Sequence, residues 1–261
     1  TALNSHVHEK TMHMSPDELD AALDRLSRIV NTLEADAGFW VGPSGEKLRV
    51  VSGAGHIFSN REAISVLTVL VCAAENEGRL VVPVAAPQAV DELAKTAGLT
   101  VERTRSDGCS LVDAARSRQV RFVASMDDRF GFPKFQPNFD GLFATAKIME
   151  LSVRAKLSLD QAFATLPRNH YHHLELSCPW ESKGGLMRRM SEYAVDQRAS
   201  FTDGVRIDTE QGWVLVLPDQ HRPIAHIYVE ATEEKVAFEL LELYRVKVSG
   251  WLAELAAVDR C

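Results

Sequence analysis

Apolar residues recur at Leu19, Leu23, Leu26, Ile29, Val30 and Leu33, a spacing that lines one face of a helix. Ser15-Pro16-Asp17-Glu18 marks its start, with a hydroxyl N-cap, a proline at the first helical position and an acid placed to close a capping box. The stretch GFWVGPSGEKLRVVSGAGHIF then reads as strand, tight turn, strand, turn. Ser59-Asn60-Arg61-Glu62 opens a second capped helix that reaches about Glu77. Its middle is almost wholly apolar, which predicts burial against a sheet.

From Gly78 the pattern changes to alternation of short apolar runs and helical stretches. RLVVPVA is a strand, Pro87 to Ala97 a helix stopped by Gly98, LTVERT a strand, Cys109 to Arg118 a helix and VRFVAS a strand. That order is the signature of a parallel sheet with crossover helices. An irregular Phe- and Pro-rich stretch, Met126 to Phe139, precedes two helices at about Gly141–Ala155 and Leu159–Thr165. The last part predicts a strand at HHLELS, a helix from Glu181 to Tyr193, strands at GVRIDT, GWVLVLP and AHIYVEA, and a long C-terminal helix. Hairpins with helices to one side make an α+β unit, so the expected class is α/β followed by α+β, in units 1–78, 79–167 and 168–261.

Composition narrows the function. Over 261 residues the net charge is −7, with 46% hydrophobic and 25% charged residues. That balance excludes nucleic acid as a main partner, and no basic run suits an anionic membrane surface. The longest apolar run, Ala63 to Ala74, is too short to span a bilayer. Cys72, Cys109, Cys178 and Cys261 form no CxxC pair and read as reduced, packed thiols of a cytoplasmic protein. The chain opens without Met, which suggests a fragment of something longer.

Several constellations invite chemistry. NHYHH places His170 and His172 on one strand face, but no acid or Cys completes a metal set at short spacing. A surface or core-edge histidine cluster is the preferred reading, as it is for His6 and His8. GPSGEK lacks P-loop spacing and leads into a strand, so on its own it reads as a turn. Ser125, Asp127, Asp128 and Arg129 follow a buried strand, where α/β sheets bind ligands; a solvated loop with an internal Asp–Arg pair is the alternative. Two apolar runs hold out a tip of Asp219, Gln220, His221 and Arg222 between Pro218 and Pro223.

Taken in order, these loops resemble those of the α-D-phosphohexomutases. DGVRIDTEQGWVLVLPDQHRPIAHIYVEATEEKVAFELL is similar to that family's last domain, ADAGFWVGPSGEKLRVV to the metal-loop segment of its second, and RFVASMDDRFGFPKFQPNFDGL to the sugar segment of its third. The resemblance implies two mutase-type α/β units with mixed sheets and a C-terminal TBP-like α+β domain. By the same resemblance, 1–78 is the end of the second domain, 79–167 the third and 168–261 the fourth. The first domain, with the phosphoserine, is not among them.

Family members move a phosphoryl group on hexose phosphates with Mg²⁺, and each loop here departs from their pattern. Gly42-Pro43-Ser44-Gly45-Glu46-Lys47 stands where the family has Asp-Gly-Asp-x-Asp-Arg. One carboxylate of three remains, so Gly42, Ser44 and Glu46 form a degenerate loop, and neither a metal nor another cofactor is expected. Lys47 reads as a solvated turn charge. Ser125 and Met126 replace the sugar-gripping acids, with Asp127 and Arg129 at the serine and histidine places. Leu217 replaces the phosphate loop's arginine, and Asp219, Gln220 and His221 replace Ser-Gly-Thr, an aspartate that repels phosphate; Arg222 restores one charge.

The expectation is a catalytically degenerate module, inactive alone. Its pattern resembles the C-terminal part of mannose-1-phosphate guanylyltransferase-like fusion proteins, with a nucleotidyltransferase domain, a sugar phosphate or nucleotide sugar, or a second copy as partners. The alternative is part of an active phosphomannomutase or phosphoglucomutase.

Overall fold

The computed structural model describes residues 14–258; His6, His8 and Cys261 lie outside the described residues. The chain divides into two compact units, one ending at Leu166 and one beginning at Pro167.

In the first unit α1 (Pro16–Thr32) starts with the predicted capping box: the Ser15 N–H donates to Glu18 Oε2 (2.8 Å) and the Glu18 N–H to Ser15 Oγ (3.3 Å). Two orphan helix donors are thereby satisfied. Leu23 and Val30 are buried, whereas Leu33, beyond the last turn, is 62% exposed and does not join the expected apolar face. The hairpin β1 (Ala37–Val41) and β2 (Leu48–Ser52) follows, antiparallel from Ala37↔Ser52 to Val41↔Leu48.

Helix α2 (Asn60–Ala74) carries the second capping box and buries every residue from Ala63 to Val71. It ends three residues earlier than its pattern suggests, because Glu75 is extended and Gly78 has φ +128°. Helices α3 (Ala89–Thr96), α5 (Gly141–Ala155) and α6 (Leu159–Ala164) surround it, with strand β5 (Val120–Ala124) completing the enclosure. The expected burial against a sheet therefore holds on one side, and helices supply the rest. Each fully buried Leu or Ile there contributes about 1.5–3 kcal/mol.

Strand β3 (Arg79–Pro83) pairs in parallel with β4 (Thr100–Thr104) and β5, as the βαβ alternation requires. Between β4 and β5 runs α4 (Gly108–Ala115). The stretch read as irregular contains a two-residue strand, β6 (Phe130–Gly131), antiparallel to β5. A two-residue strand carries no detectable period. One core cluster runs from Leu48 to Ala162 through β2, α2, β3, β5, α5 and α6. Of the thiols in described residues, Cys178 is buried and Cys72 half-buried, but Cys109 is exposed, which corrects the expectation that all are packed.

The second unit is one antiparallel sheet, ordered β7 (His170–Ser177), β11 (Ile224–Ala231), β10 (Gly212–Pro218), β9 (Val205–Asp208), β8 (Ala199–Ser200). Leu174, Leu176, Val205, Ile207, Val214, Val216, Ala225, Ile227 and Val229 point to one face. There they pack with Leu186 and Met190 of α7 (Trp180–Ala194) and Ala237, Tyr244 and Val248 of α8 (Glu234–Val258). Side chains alternate along a strand, so His173 and Glu175 of β7 and His226 and Tyr228 of β11 share the opposite face. Gly204, with φ +69°, lies where a Cβ would come within 2.4 Å of the Val216 carbonyl oxygen, so only glycine fits. No described helix is long and apolar enough to cross a membrane.

Candidate functional site

In the first unit the β1–β2 turn and the β5–β6 loop meet. The Leu48 N–H donates to the Asp128 carbonyl (2.7 Å), and Lys47 and Arg129 form an isolated antiparallel bridge. Asp128 supplies the bend with φ +66°, a region that Asp tolerates better than most residues. The buried Ser125 hydroxyl donates to Asp127 Oδ1 (2.5 Å) and accepts the Arg129 N–H (3.1 Å). Arg129 Nε returns to Asp127 Oδ1 (2.8 Å), and its guanidinium lies 5.0 Å from the centroid of the Phe139 ring. Partial burial pushes the Asp127 carboxyl up, but hydrogen bonds from Ser125 and Arg129 outweigh it and hold the group below its ordinary value. Asp128 goes the other way, raised by burial against the opposing pull of Arg49 and Asn60. Ser125, Asp127 and Arg129 thus form one cluster, closer to the internal Asp–Arg alternative than to an open sugar grip, while the Asp128 side chain turns to Arg49 (3.7 Å).

The same geometry bears on whether the Gly42–Lys47 loop suits Mg²⁺. Gly42 N–H donates to the Lys47 carbonyl (2.9 Å), Gly45 N–H to the Gly42 carbonyl (2.8 Å), and Gly141 N–H to the Gly45 carbonyl (2.7 Å). The loop's backbone is therefore spent on closing the turn and seating the start of α5. Its single carboxylate, Glu46, lies 3.8 Å from an Arg129 nitrogen, and Lys47 Nζ lies 3.9 Å from Asp127. Mg²⁺ demands oxygen ligands in strict octahedral geometry. One carboxylate beside two cationic side chains does not fit it. Lys47, with about half of its side chain exposed, is a turn charge with a loose partner.

In the second unit the β10–β11 hairpin carries the other predicted cluster, and its aspartate turns inward. Asp219 Oδ1 accepts the backbone N–H groups of His221 (2.7 Å) and Arg222 (2.8 Å). Asp219 Oδ2 accepts Arg222 Nε (3.1 Å) and His226 Nε2 (3.0 Å). Partial burial alone would raise this carboxyl, yet the donors from His221, His226 and Arg222 hold it far below the usual carboxylate range. Arg222 is shared with Glu175 at 3.0 Å, so its charge faces two carboxylates. From α7, Lys183 Nζ donates to the carbonyls of Asp219 (2.5 Å) and Arg222 (2.6 Å) while resting 3.5 Å from the Trp180 ring centroid. Gln220 and the His221 side chain are exposed. Consecutive N–H groups of this kind make an anion nest. The occupant of the nest is the loop's own Asp219.

Sequence reasoning missed His173, Glu175, His226 and Lys183. It weighed His170 with His172, but the residue brought to a partner is His173, whose Nε2 lies 2.9 Å from His226 Nδ1. Burial first, and the neighbouring His226 second, lower the affinity of His173 for a proton. The available signal was the alternation of β7, which puts His173 and Glu175 together; the pairing with β11 is invisible without register.

No family model matches the chain. A probable phosphoglucosamine mutase of Methanocella arvoryzae is 27% identical over 227 residues, 86% of this chain and 50% of that protein. A phosphoglucomutase/phosphomannomutase of Thermococcus kodakarensis is 24% identical over 244 residues, 93% of this chain and 53% of that protein. Among solved structures, a phosphoglucomutase/phosphomannomutase family protein of Burkholderia thailandensis superposes with a TM-score of 0.74 at 16% identity, covering 95% of this chain and 52% of its own. The chain is similar to phosphoglucosamine mutases and phosphoglucomutase/phosphomannomutases. The mixed α/β architecture matches that phosphohexomutase fold. An Aspergillus fumigatus N-acetylphosphoglucosamine mutase, solved with GlcNAc-6P and magnesium, agrees at a TM-score of 0.59 and 12% identity over 91% of this chain and 57% of its own. The chain spans about half the length of the curated phosphohexomutase relatives it matches.

Proposed function

We propose that this chain is a phosphohexomutase-like half that has kept the family's scaffold and given up its chemistry. The observation that carries the reading is Asp219, whose carboxylate lies in the backbone nest where a phosphate would sit. The magnesium loop supports it independently, since its one acid stands beside Arg129. On this reading the second unit is the TBP-like fourth domain, and the module belongs to a cytoplasmic, sugar-phosphate nucleotidyltransferase-like protein. Its role there is assembly, regulation or binding of a sugar phosphate or nucleotide sugar.

A coupled assay for interconversion of mannose 1-phosphate and mannose 6-phosphate with Mg²⁺, run on this chain and on the full-length protein, tests it. No turnover above the blank is expected. Turnover of the full-length protein that a chelator abolishes overturns degeneracy and favours the second reading, an active mutase. That reading draws its support from the mutase names of the curated relatives. The coding sequence upstream of Thr1 separates the two readings: a nucleotidyltransferase start supports the first, a phosphoserine loop the second.

A further inference from the structure

Three side chains on the exposed side of the β7–β11 pair converge without serving the loop alone. His173, Glu175 and His226 each present one ligand atom, and these atoms lie within 4.8 Å of one another. Two are cross-strand neighbours, His226 opposite Glu175, and His173 sits one pleat along opposite Tyr228. Residues so placed are held by the ladder, not by a flexible loop.

The protonation of the pair follows from hydrogen bonding. A carboxylate is acceptor-only, and Asp219 Oδ2 lies 3.0 Å from His226 Nε2, so that nitrogen carries the proton. In the neutral ring Nδ1 then holds a lone pair, and it points at His173 Nε2, 2.9 Å away. Glu175 Oε1 lies 3.7 Å from the same Nδ1. A carboxylate that fixes the far nitrogen of a histidine is what orients histidine ligands in metal centres. The two separations that involve His226 also suit one ion. With bonds of about 2.0–2.1 Å, a 2.9 Å nitrogen pair subtends about 90° at the metal, and the 3.7 Å nitrogen–oxygen pair about 130°.

We propose that His173 Nε2, His226 Nδ1 and Glu175 form a binding site for a divalent transition-metal ion of the zinc class, with Asp219 orienting His226. Two imidazoles and one carboxylate select such a borderline cation over Mg²⁺ or Ca²⁺. When the ion enters, the proton between the two rings moves to His173 Nδ1, and both facing nitrogens become donors to the metal. Glu175 must turn part of its charge from Arg222 toward the ion, so the ion and Arg222 compete for one carboxylate. His173 and Glu175 are exposed, which leaves a coordination position open to water or an anion. The site is distinct from the Gly42–Lys47 loop, and the inference stands whether or not the chain is catalytically degenerate.

The test is Co²⁺ and Zn²⁺ binding to chelator-treated whole chain, followed by cobalt absorption and calorimetry. The background is His6→Ala/His8→Ala/His13→Ala, which removes the histidines outside the described residues. One equivalent of ion is expected to bind, with cobalt bands of a nitrogen-containing site and release of protons on binding. His173→Ala and Glu175→Gln should each weaken it at least tenfold while leaving the far-UV spectrum of the chain unchanged. Absence of stoichiometric binding in that background, or affinity that neither substitution changes, overturns the proposal.

Discussion

Asp219→Ser empties the nest of its built-in anion. Four donors lose their acceptor: the N–H groups of His221 and Arg222, Arg222 Nε and His226 Nε2. A hydrogen bond to a charged group contributes about 1.5–3 kcal/mol when shielded from water. The Asp219 side chain is only 14% exposed, so part of that value applies to the two backbone donors and His226. The contribution of the exposed Arg222 side chain is left out, because solvent screens it. Water reaching the vacated loop returns some of the loss, and the serine hydroxyl returns a little more. The net expectation is a cost of about 2 kcal/mol, or a fall in Tm of about 4–8 °C for a chain of this size. Inorganic phosphate should then act as the missing anion. At ten times its Kd it restores about 1.4 kcal/mol, most of what the substitution removed, whereas the wild-type chain should show no shift. Scanning calorimetry with phosphate against chloride at equal ionic strength reads both effects. A wild-type shift as large as the variant's, or a variant as stable as wild type without phosphate, refutes the claim that Asp219 fills the cradle.

Two further outcomes follow from the same geometry. Ser125→Ala removes a buried hydroxyl that bonds both Asp127 and the Arg129 N–H, and should cost about 1–3 kcal/mol in urea unfolding with an unchanged m-value. Because the folded-state affinity of Asp219 for a proton is depressed, the unfolded chain binds more protons than the native one in acid. Its stabilising effect is thus complete above about pH 5, passes the unfolded value near 3.9 and is lost as pH falls further. Asp219→Asn should flatten the decline of Tm between about pH 5 and 3; an identical decline in both proteins contradicts the assignment.

What the residues announce locally, the structure keeps. Both capping boxes involve atoms three positions apart, and Ser15 with Glu18 and Ser59 with Glu62 are readable because no distant partner intervenes. The βα alternation that gives β3, β4 and β5 is legible for the same reason. The candidate site was half legible. Its aspartates and arginines were found by position, but their directions depend on what lies across a turn or a ladder. Asp219 reads in sequence as a charge that repels phosphate; in space it is the anion that the loop binds. His173 and His226 are 53 residues apart, and only the register Tyr228↔His173 brings them together. Lys183 gives no sign within WESKGGL that it reaches two carbonyls of another hairpin.

That lysine has a consequence for what the hairpin can become. By tying the carbonyls at both ends of the tip, Lys183 acts as a buckle that sets the loop's outline from a neighbouring helix. The outline then does not rest on the side chains at positions 219 to 222 alone, although Asp219 adds its own bonds to the tip. A tip fastened from outside can be rewritten without rebuilding the strands beneath it, so grafting a Ser-Gly-Thr tip onto Pro218 and Pro223 changes the cargo of the loop and leaves its frame in place.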